Sequence, residues 1–292
     1  MSWNRRLALW TQRALGSRLL QDPPKIYGAK KDGQLLVTSG WAETYVISAS
    51  DKAVGRQVYL HGIFDFDRLE LCVKILGKNF TCETLIDVGA NIGTTCIPAV
   101  KRGIFRQAIA FEPEPLNYSL LCANVALNGL QAKIQSHNTA IGAQLRQRLN
   151  FELSNENFGD HRVRVSENDG SDQEASRHVI QVPSTTLDSI IKKIEPTSTL
   201  IWIDTQGYEG EVFKGATKIL AQRPPILFEF WPYGLNRSGG FPYLKEAVKK
   251  AGHQKMKDLR KPDNTFMLQD ATFESLYSEL LATNTHTDLL IY

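Results

Sequence analysis

The sequence predicts an α/β protein built on a doubly wound, mostly parallel sheet. Three observations point that way. From about residue 68 onward, short apolar runs alternate with stretches of helical periodicity, the rhythm of strand–helix–strand units. The run Thr199-Leu200-Ile201-Trp202-Ile203-Asp204 is apolar almost throughout, as suits a strand covered on both faces. The run Thr84-Leu85-Ile86-Asp87-Val88 leads straight into the turn Gly89-Ala90-Asn91-Ile92-Gly93. In open α/β sheets such a turn lies where ligands bind, beyond the carboxyl ends of the strands.

The elements follow in order. Residues 1–20 read as an amphipathic helix, with Trp3, Leu7, Trp10 and Ala14 on one face and Arg5, Arg6 and Arg13 away from it. Asp22-Pro23-Pro24 ends it, because proline lacks the donor a helix needs. The apolar face either packs on the protein's own domain or docks on a membrane surface or partner. Short strands are expected at 35–37 and 45–48, with a third at 58–60. Residues 1–80 form an N-terminal extension, and 81–292 the main domain.

The extension ends on a helix at 68–76, and the main domain opens with a strand at 84–88 and a helix through 99 or 101. A strand at 108–111, a helix at 115–127 and a strand at 133–137 come next. Then the rhythm breaks. Residues 149–153 and 162–165 alternate like exposed strands, 166–176 is polar and acidic, and 178–182 returns to strand character. An inserted hairpin over about 146–183 is the expectation, a common place for a substrate lid. Helix at 187–194, strand at 199–204, helix at 210–222, strand at 225–230 and a last large helix at 243–251 complete the alternation. Residues 254–259 and 265–268 suit a closing antiparallel pair.

Bulk properties narrow the function classes. An apolar fraction of 42% with 22% charged residues is ordinary for a chain with a sizeable core. Thirty-four basic against 31 acidic side chains give a net charge of +3, too balanced for a surface that tracks phosphates, so no nucleic-acid partner is expected. Cys72, Cys82, Cys96 and Cys122 lack zinc-ligand spacing. No metal is expected, and reduced thiols in a cytoplasmic protein are the simplest account. No apolar run spans a bilayer. Leu7-Ala8-Leu9-Trp10 is too short for a secretory signal. A cytoplasmic location follows, peripheral at a membrane if the N-terminal helix docks there.

Chemistry concentrates at the strand ends. Asp87, Glu112, Asp204 and Glu229 lie at or just beyond four different strands, a convergence that marks a site. Asn91 stands where the dinucleotide fingerprint has the glycine that admits a pyrophosphate. A ligand without phosphate there is therefore indicated. Glu112 follows Gly89 by 23 residues, the place of an acid that accepts from ribose hydroxyls. Asp87 favours an ammonium or sulfonium end. An NAD-binding oxidoreductase is the alternative enzyme, disfavoured by Asn91, and a non-catalytic adaptor keeping the fold is the alternative of another class.

Several of these segments carry a resemblance. Asp-Val-Gly-Ala-Asn-Ile-Gly at 87–93, Phe-Glu-Pro-Glu-Pro at 111–115, Asn124 with Leu127-Asn128, and Ile-Asp-Thr-Gln-Gly-Tyr-Glu at 203–209 resemble the FkbM family of methyltransferases. Phe213, Lys214-Gly215-Ala216 and the strand ending in Glu229 continue the match, which covers about 84–232. The resemblance implies the Rossmann-like class I methyltransferase fold with a seven-stranded sheet, and S-adenosylmethionine as methyl donor. It also implies O-methylation of a hydroxyl on a sugar, glycan or natural product. Carried over, Asp87, Gly89, Ala90, Asn91 and Gly93 line the methionine end, and Glu112 with Pro113 the ribose. Asn138 and Thr139 are placed by position at the adenine edge.

Asn157 and His161 belong to a segment of the insert that also looks like a family feature. Trp231 and Tyr233 are candidates to wall the acceptor pocket. Many family members read Lys-Ile-Asp-Val-Glu where this chain has Trp202 and Gln206, so no carboxylate stands at 206. Methylating an alcohol also requires removal of its proton, for which Asp204, Glu209, His161 and Glu229 are the candidates. The Asn/Asp-Pro-Pro-aromatic signature of adenine and glutamine N-methyltransferases is lacking, which favours oxygen as the acceptor atom.

Overall fold

The computed structural model describes residues 33–40, 42–167, 170 and 174–292; the helix expected over 1–20 lies outside them. The chain begins with an antiparallel pair, β1 (Leu35–Ser39) and β2 (Thr44–Ser48). Where a third strand is expected at 58–60, the structure has a helix instead, α1 (Val54–His61). Asp51 causes the difference, because its carboxylate accepts from the backbone N–H groups of Ala53 and Gly55 at 3.0 and 2.6 Å. These are among the donors that a helix start leaves unpaired. Gly62, at φ +73°, ends the helix. Next comes α2 (Phe66–Leu76).

The expected doubly wound sheet follows: β3 (Thr84–Val88), α3 (Cys96–Lys101), β4 (Gln107–Phe111), α4 (Pro115–Leu127) and β5 (Ile134–His137). Glu114 caps α4 by accepting from the Asn117 N–H at 2.6 Å. The inserted region is larger than a hairpin. β6 (Ala140–Ile141), β7 (Gln147–Leu153), β8 (Arg162–Val163) and β9 (His178–Thr185) form a four-stranded sheet in the order β6-β9-β7-β8.

The helix expected over 187–194 shortens to α5 (Leu187–Ile190), and β10 (Thr199–Ile203) follows. The single helix expected over 210–222 is two, α6 (Glu209–Lys214) and α7 (Thr217–Leu220). Gly215 lies between them, pressed against Gly142 so closely that a β-carbon there would overlap the Gly142 carbonyl oxygen. Then come β11 (Ile226–Phe230), α8 (Pro232–Ser238), α9 (Phe241–Ala251), β12 (Lys255–Asp258) and β13 (Phe266–Met267). α9 is not the last large helix: α10 (Asp270–Thr283) is longer, and β14 (Thr287–Ile291) closes the chain.

The large sheet has the order β13-β12-β14-β11-β10-β3-β4-β5. β14 enters antiparallel between β11 and β12, whereas β3, β4, β5, β10 and β11 run parallel. Without the two-residue edge strand β13, this is a seven-stranded, mostly parallel sheet. Cores lie on both faces: Leu85, Ala108, Leu200 and Leu227 join one, and Ile86, Ile201, Ile226 and Phe228 the other. Sequence order reverses between β3 and β10, and at such a reversal the loops diverge and leave a crevice. Among the described residues, no helix is long and apolar enough to cross a membrane.

Candidate functional site

A cavity of about 400 Å³ opens at that crevice. Its floor is the turn after β3. Gly89 has φ +91°, which glycine adopts without strain, and its N–H and that of Ala90 both donate to the Phe111 carbonyl at 3.0 Å. Gly89, Ala90 and Asn91 line the cavity. The Asn91 side chain is otherwise engaged: its Oδ1 accepts from the Ile92 N–H at 2.6 Å, and its Nδ2 donates to the Phe158 carbonyl at 3.0 Å. Gly93 lies off the cavity wall, where a β-carbon would come within 2.6 Å of Ile97 Cδ1 and 2.9 Å of Leu121 Cδ1. Its lack of a side chain serves packing between α3 and α4. Asp87 is also beneath the wall, with Oδ2 unpartnered and the carboxyl pushed up to about 7 by burial.

At one end the cavity is lined by Glu112, Pro113, Asn117, Thr139, Ile141 and Phe151. Glu112 accepts from the Asn91 N–H at 2.8 Å and from the Glu114 N–H at 2.9 Å, and burial pushes it up to about 8. Each carboxylate oxygen keeps a further lone pair for a ligand hydroxyl. Asn117 is 1% exposed with its Nδ2 on the Phe158 carbonyl at 3.0 Å and its Oδ1 unpartnered, an acceptor in need of a donor. Asn138 does not reach the cavity. Its Nδ2 donates to the carbonyls of Glu112 and Pro113 at 2.9 and 3.1 Å, holding their backbone in place.

The opposite end is acidic, lined by Asp65, Arg68, Asp204, Gln206, Glu229 and His286. Gln206 Nε2 donates to Asp204 Oδ1 at 2.6 Å and to Glu229 Oε2 at 3.2 Å, so one amide bridges the two carboxylates. Burial raises both, Glu229 well above its usual range. Arg68 is the only arginine or lysine of the wall among the described residues. It pairs with Asp288 at 2.9 Å and lies 3.6 Å from Asp65. Glu209, fully buried, is absent from the wall. Its Oε1 accepts from Thr205 N–H and Oγ1, both at 2.9 Å, and from Gly207 N–H at 3.3 Å, which fixes the turn that carries Asp204 and Gln206.

The inserted sheet supplies the roof through Asn157, Phe158, Gly159, His161 and Val163. Phe158 is pinned on both sides. Its carbonyl takes the amides of Asn91 and Asn117, and its N–H donates to Asp51 Oδ1 at 3.2 Å. Asn157 accepts from the Gly159 N–H at 3.0 Å, shaping the turn. His161 Nδ1 accepts from the Ser154 N–H at 3.0 Å, and burial with nearby Arg177 lowers the ring to about 4. With Nδ1 occupied as acceptor, Nε2 carries the proton of the neutral ring. In that tautomer the second ring nitrogen is a donor, which argues against a base role for the neutral ring.

Trp231 and Tyr233 are not in the main wall. They line a small neighbouring cleft with Glu152, Arg162 and Arg237. The Arg162 guanidinium stands 5.2 Å from the Trp231 ring centre, and Tyr233 donates to Glu174 at 2.7 Å. Arg68, Asn117 and His286 also line the cavity, beyond the residues expected from sequence. Asn117 has a local signal, two residues after Phe-Glu-Pro-Glu-Pro. Arg68 and His286 have none, since the extension and the residue before the last strand reach the cavity only through folding.

The family described as the Methyltransferase FkbM domain matches residues 87–254. The hexuronic acid methyltransferase AglP of Haloferax volcanii is 25% identical over 195 residues, covering 66% of this chain and 72% of that protein. A solved structure of methyltransferase FkbM from Methylobacillus flagellatus is 17% identical with a TM-score of 0.44, covering 72% of this chain. The match spans 44% of the Methylobacillus chain, less than half its length. The M. jannaschii TYW2 structure in complex with AdoMet is 12% identical with a TM-score of 0.42, covering 90% of this chain and 87% of that one.

Proposed function

Since the chain belongs to the FkbM methyltransferase family, we propose that it uses S-adenosylmethionine to methylate a hydroxyl of a sugar, glycan or natural product. The observation that carries this reading is the cavity itself, which joins Glu112 to the Asp204–Gln206–Glu229 group along the glycine turn. The residues suit a nucleoside with a cationic end. Glu112 and the unpartnered Asn117 Oδ1 supply acceptors for hydroxyls or an amine, and Asp204 and Glu229 supply negative charge for a cation. When bound, S-adenosylmethionine supplies a methyl group activated by the positive sulfur.

The rest falls to the chain's own side chains. Alignment of acceptor and methyl is the main contribution expected of such a site. Asp204 is the group proposed to take the acceptor's hydroxyl proton, with Glu229 next to it through the shared amide. His161 Nε2–H is a candidate to hold an acceptor oxygen. The sugar acceptor in the name of AglP lends support to a hydroxylated substrate. The test is calorimetry with S-adenosylmethionine and NAD, followed by transfer of labelled methyl into fractionated lysate. Binding of the first ligand alone and a labelled, base-stable ether product are expected. NAD binding, or no transfer to any fraction, would overturn the reading.

A further inference from the structure

Asp204 and Glu229 come from different strand ends, yet both are held on one amide, Gln206 Nε2, at 2.6 and 3.2 Å, Glu229 buried and Asp204 half-buried. Gln206 reaches this position with φ +55°, in a turn fixed by Glu209. Two carboxylates that share one amide, one of them buried, oppose each other's ionisation unless a cation compensates. Arg68 is the nearby candidate, but it is already committed to Asp288 and flanked by Asp65. The other groups around the pair do not neutralise it. Asp160 faces Asp204, while Glu209 and Asp288 face Glu229, and all of these repel further negative charge. Asp87 adds to the repulsion from β3. His161 and His286 in the wall are held neutral by burial.

We infer that the Asp204–Gln206–Glu229 group holds a proton until a positively charged ligand enters the cavity, and then releases it to solvent. The inference rests on the methyl-donor reading above. S-adenosylmethionine carries a permanent positive charge on sulfur, whereas S-adenosylhomocysteine carries none there. The amino acid end and the nucleoside are common to both. Entry of the donor thus stabilises both carboxylates, and the carboxyl proton passes to the buffer. The site is left with an unprotonated acid beside the acceptor position. After transfer the positive charge is gone and the pair takes a proton back. Gln206 is a positioning residue here: it gives each carboxylate a hydrogen bond without adding a charge of its own.

The test is calorimetry in two buffers of different ionisation enthalpy, which counts protons released on binding. Near neutral pH, S-adenosylmethionine is expected to release up to one proton more than S-adenosylhomocysteine. Its affinity relative to that ligand should rise with pH, by up to tenfold per pH unit for one proton. Glu229→Gln should abolish the excess, because no second carboxyl remains to share the charge. Gln206→Glu, which adds a carboxylate to the group, should carry the excess to higher pH, giving a second readout if Glu229→Gln does not fold. Equal proton counts for the two ligands in the wild-type chain would overturn the inference while leaving the donor reading intact. An excess that survives Glu229→Gln would overturn it too, by assigning the proton to another acid. Failure of both ligands to bind would overturn the donor reading and this inference together.

Discussion

Gly89 and Asp204 meet backbone to backbone at the point where the sheet's strand order reverses. A β-carbon on Gly89 would overlap the Asp204 carbonyl oxygen, and the Asp204 N–H donates to Val88 at 2.9 Å. The first residue after β3 is thereby locked to the first after β10. Gly89→Ala is expected to cost roughly 2–4 kcal/mol, combining overpacking against rigid backbone with a positive φ. Gly93→Ala, also at φ +91°, meets movable side-chain ends of Ile97 and Leu121 and should cost less. Urea unfolding of the two variants compares them. Equal losses would show that backbone conformation, not the Asp204 contact, governs both positions.

Stability of the ligand-free chain should fall as pH rises. Asp87, Glu209 and Asp288 are pushed up to about 7, and Glu112 to about 8. Groups raised in the folded state hold their protons there more tightly than when unfolded. Their contribution is complete below the ordinary carboxylate range and is lost as pH passes through about 7 to 8. The melting temperature should be higher at pH 5.5 than at pH 8, and Glu112→Gln should flatten that slope. A melting temperature that climbs steadily from pH 5.5 to pH 8 would contradict the assignment.

Glu112→Gln is also expected to weaken S-adenosylmethionine binding by about 0.5–1.5 kcal/mol at neutral pH, the range for a hydrogen bond to an uncharged group, since its carboxyl is pushed up to about 8. Calorimetry on the folded variant measures it. Unchanged affinity would remove Glu112 from the ribose site.

Asn117→Ala removes one of two amides that hold the Phe158 carbonyl. Losing one of two bonds to a half-buried carbonyl costs about 0.5–1.5 kcal/mol, and the cost should concentrate in the roof. Backbone amides of residues 157–161 are expected to exchange hydrogen faster, with the strands of the large sheet unaffected. Uniform exchange changes would mean that the roof has no independent mobility.

Asp204→Asn should lower single-turnover methyl transfer by about 10²–10⁴-fold, the usual contribution of a positioned base. Donor affinity should fall less, since the amide keeps the side chain's shape. His161→Ala should act mainly on acceptor affinity, because its ring offers a proton rather than a lone pair. Near-normal turnover in Asp204→Asn with collapse in His161→Ala would return the base to the roof.

The parallel strands, the glycine turn and the strand-end acids are legible in neighbouring residues. Thr84–Val88, Pro115–Leu127 and Thr199–Ile203 were legible because period, caps and glycine placement are carried by neighbouring residues. The apolar run at 58–60 suits a strand, but the Asp51 contacts start a helix there, Val54–His61. Gly215 splits a helix only because Gly142 packs on it from another part of the chain. Which acids face the cavity depends on packing between distant segments. Asp87 looks equivalent to Asp204 and Glu229 in sequence, and Glu209 to them as a candidate base, yet both lie beneath the wall. A strand end places a carboxylate near the crevice, but its rotamer and the partners that claim it are set by packing from distant segments. Arg68 shows the same limit: a helix outside the matched family region carries it into the acidic end, and no local pattern records that contact.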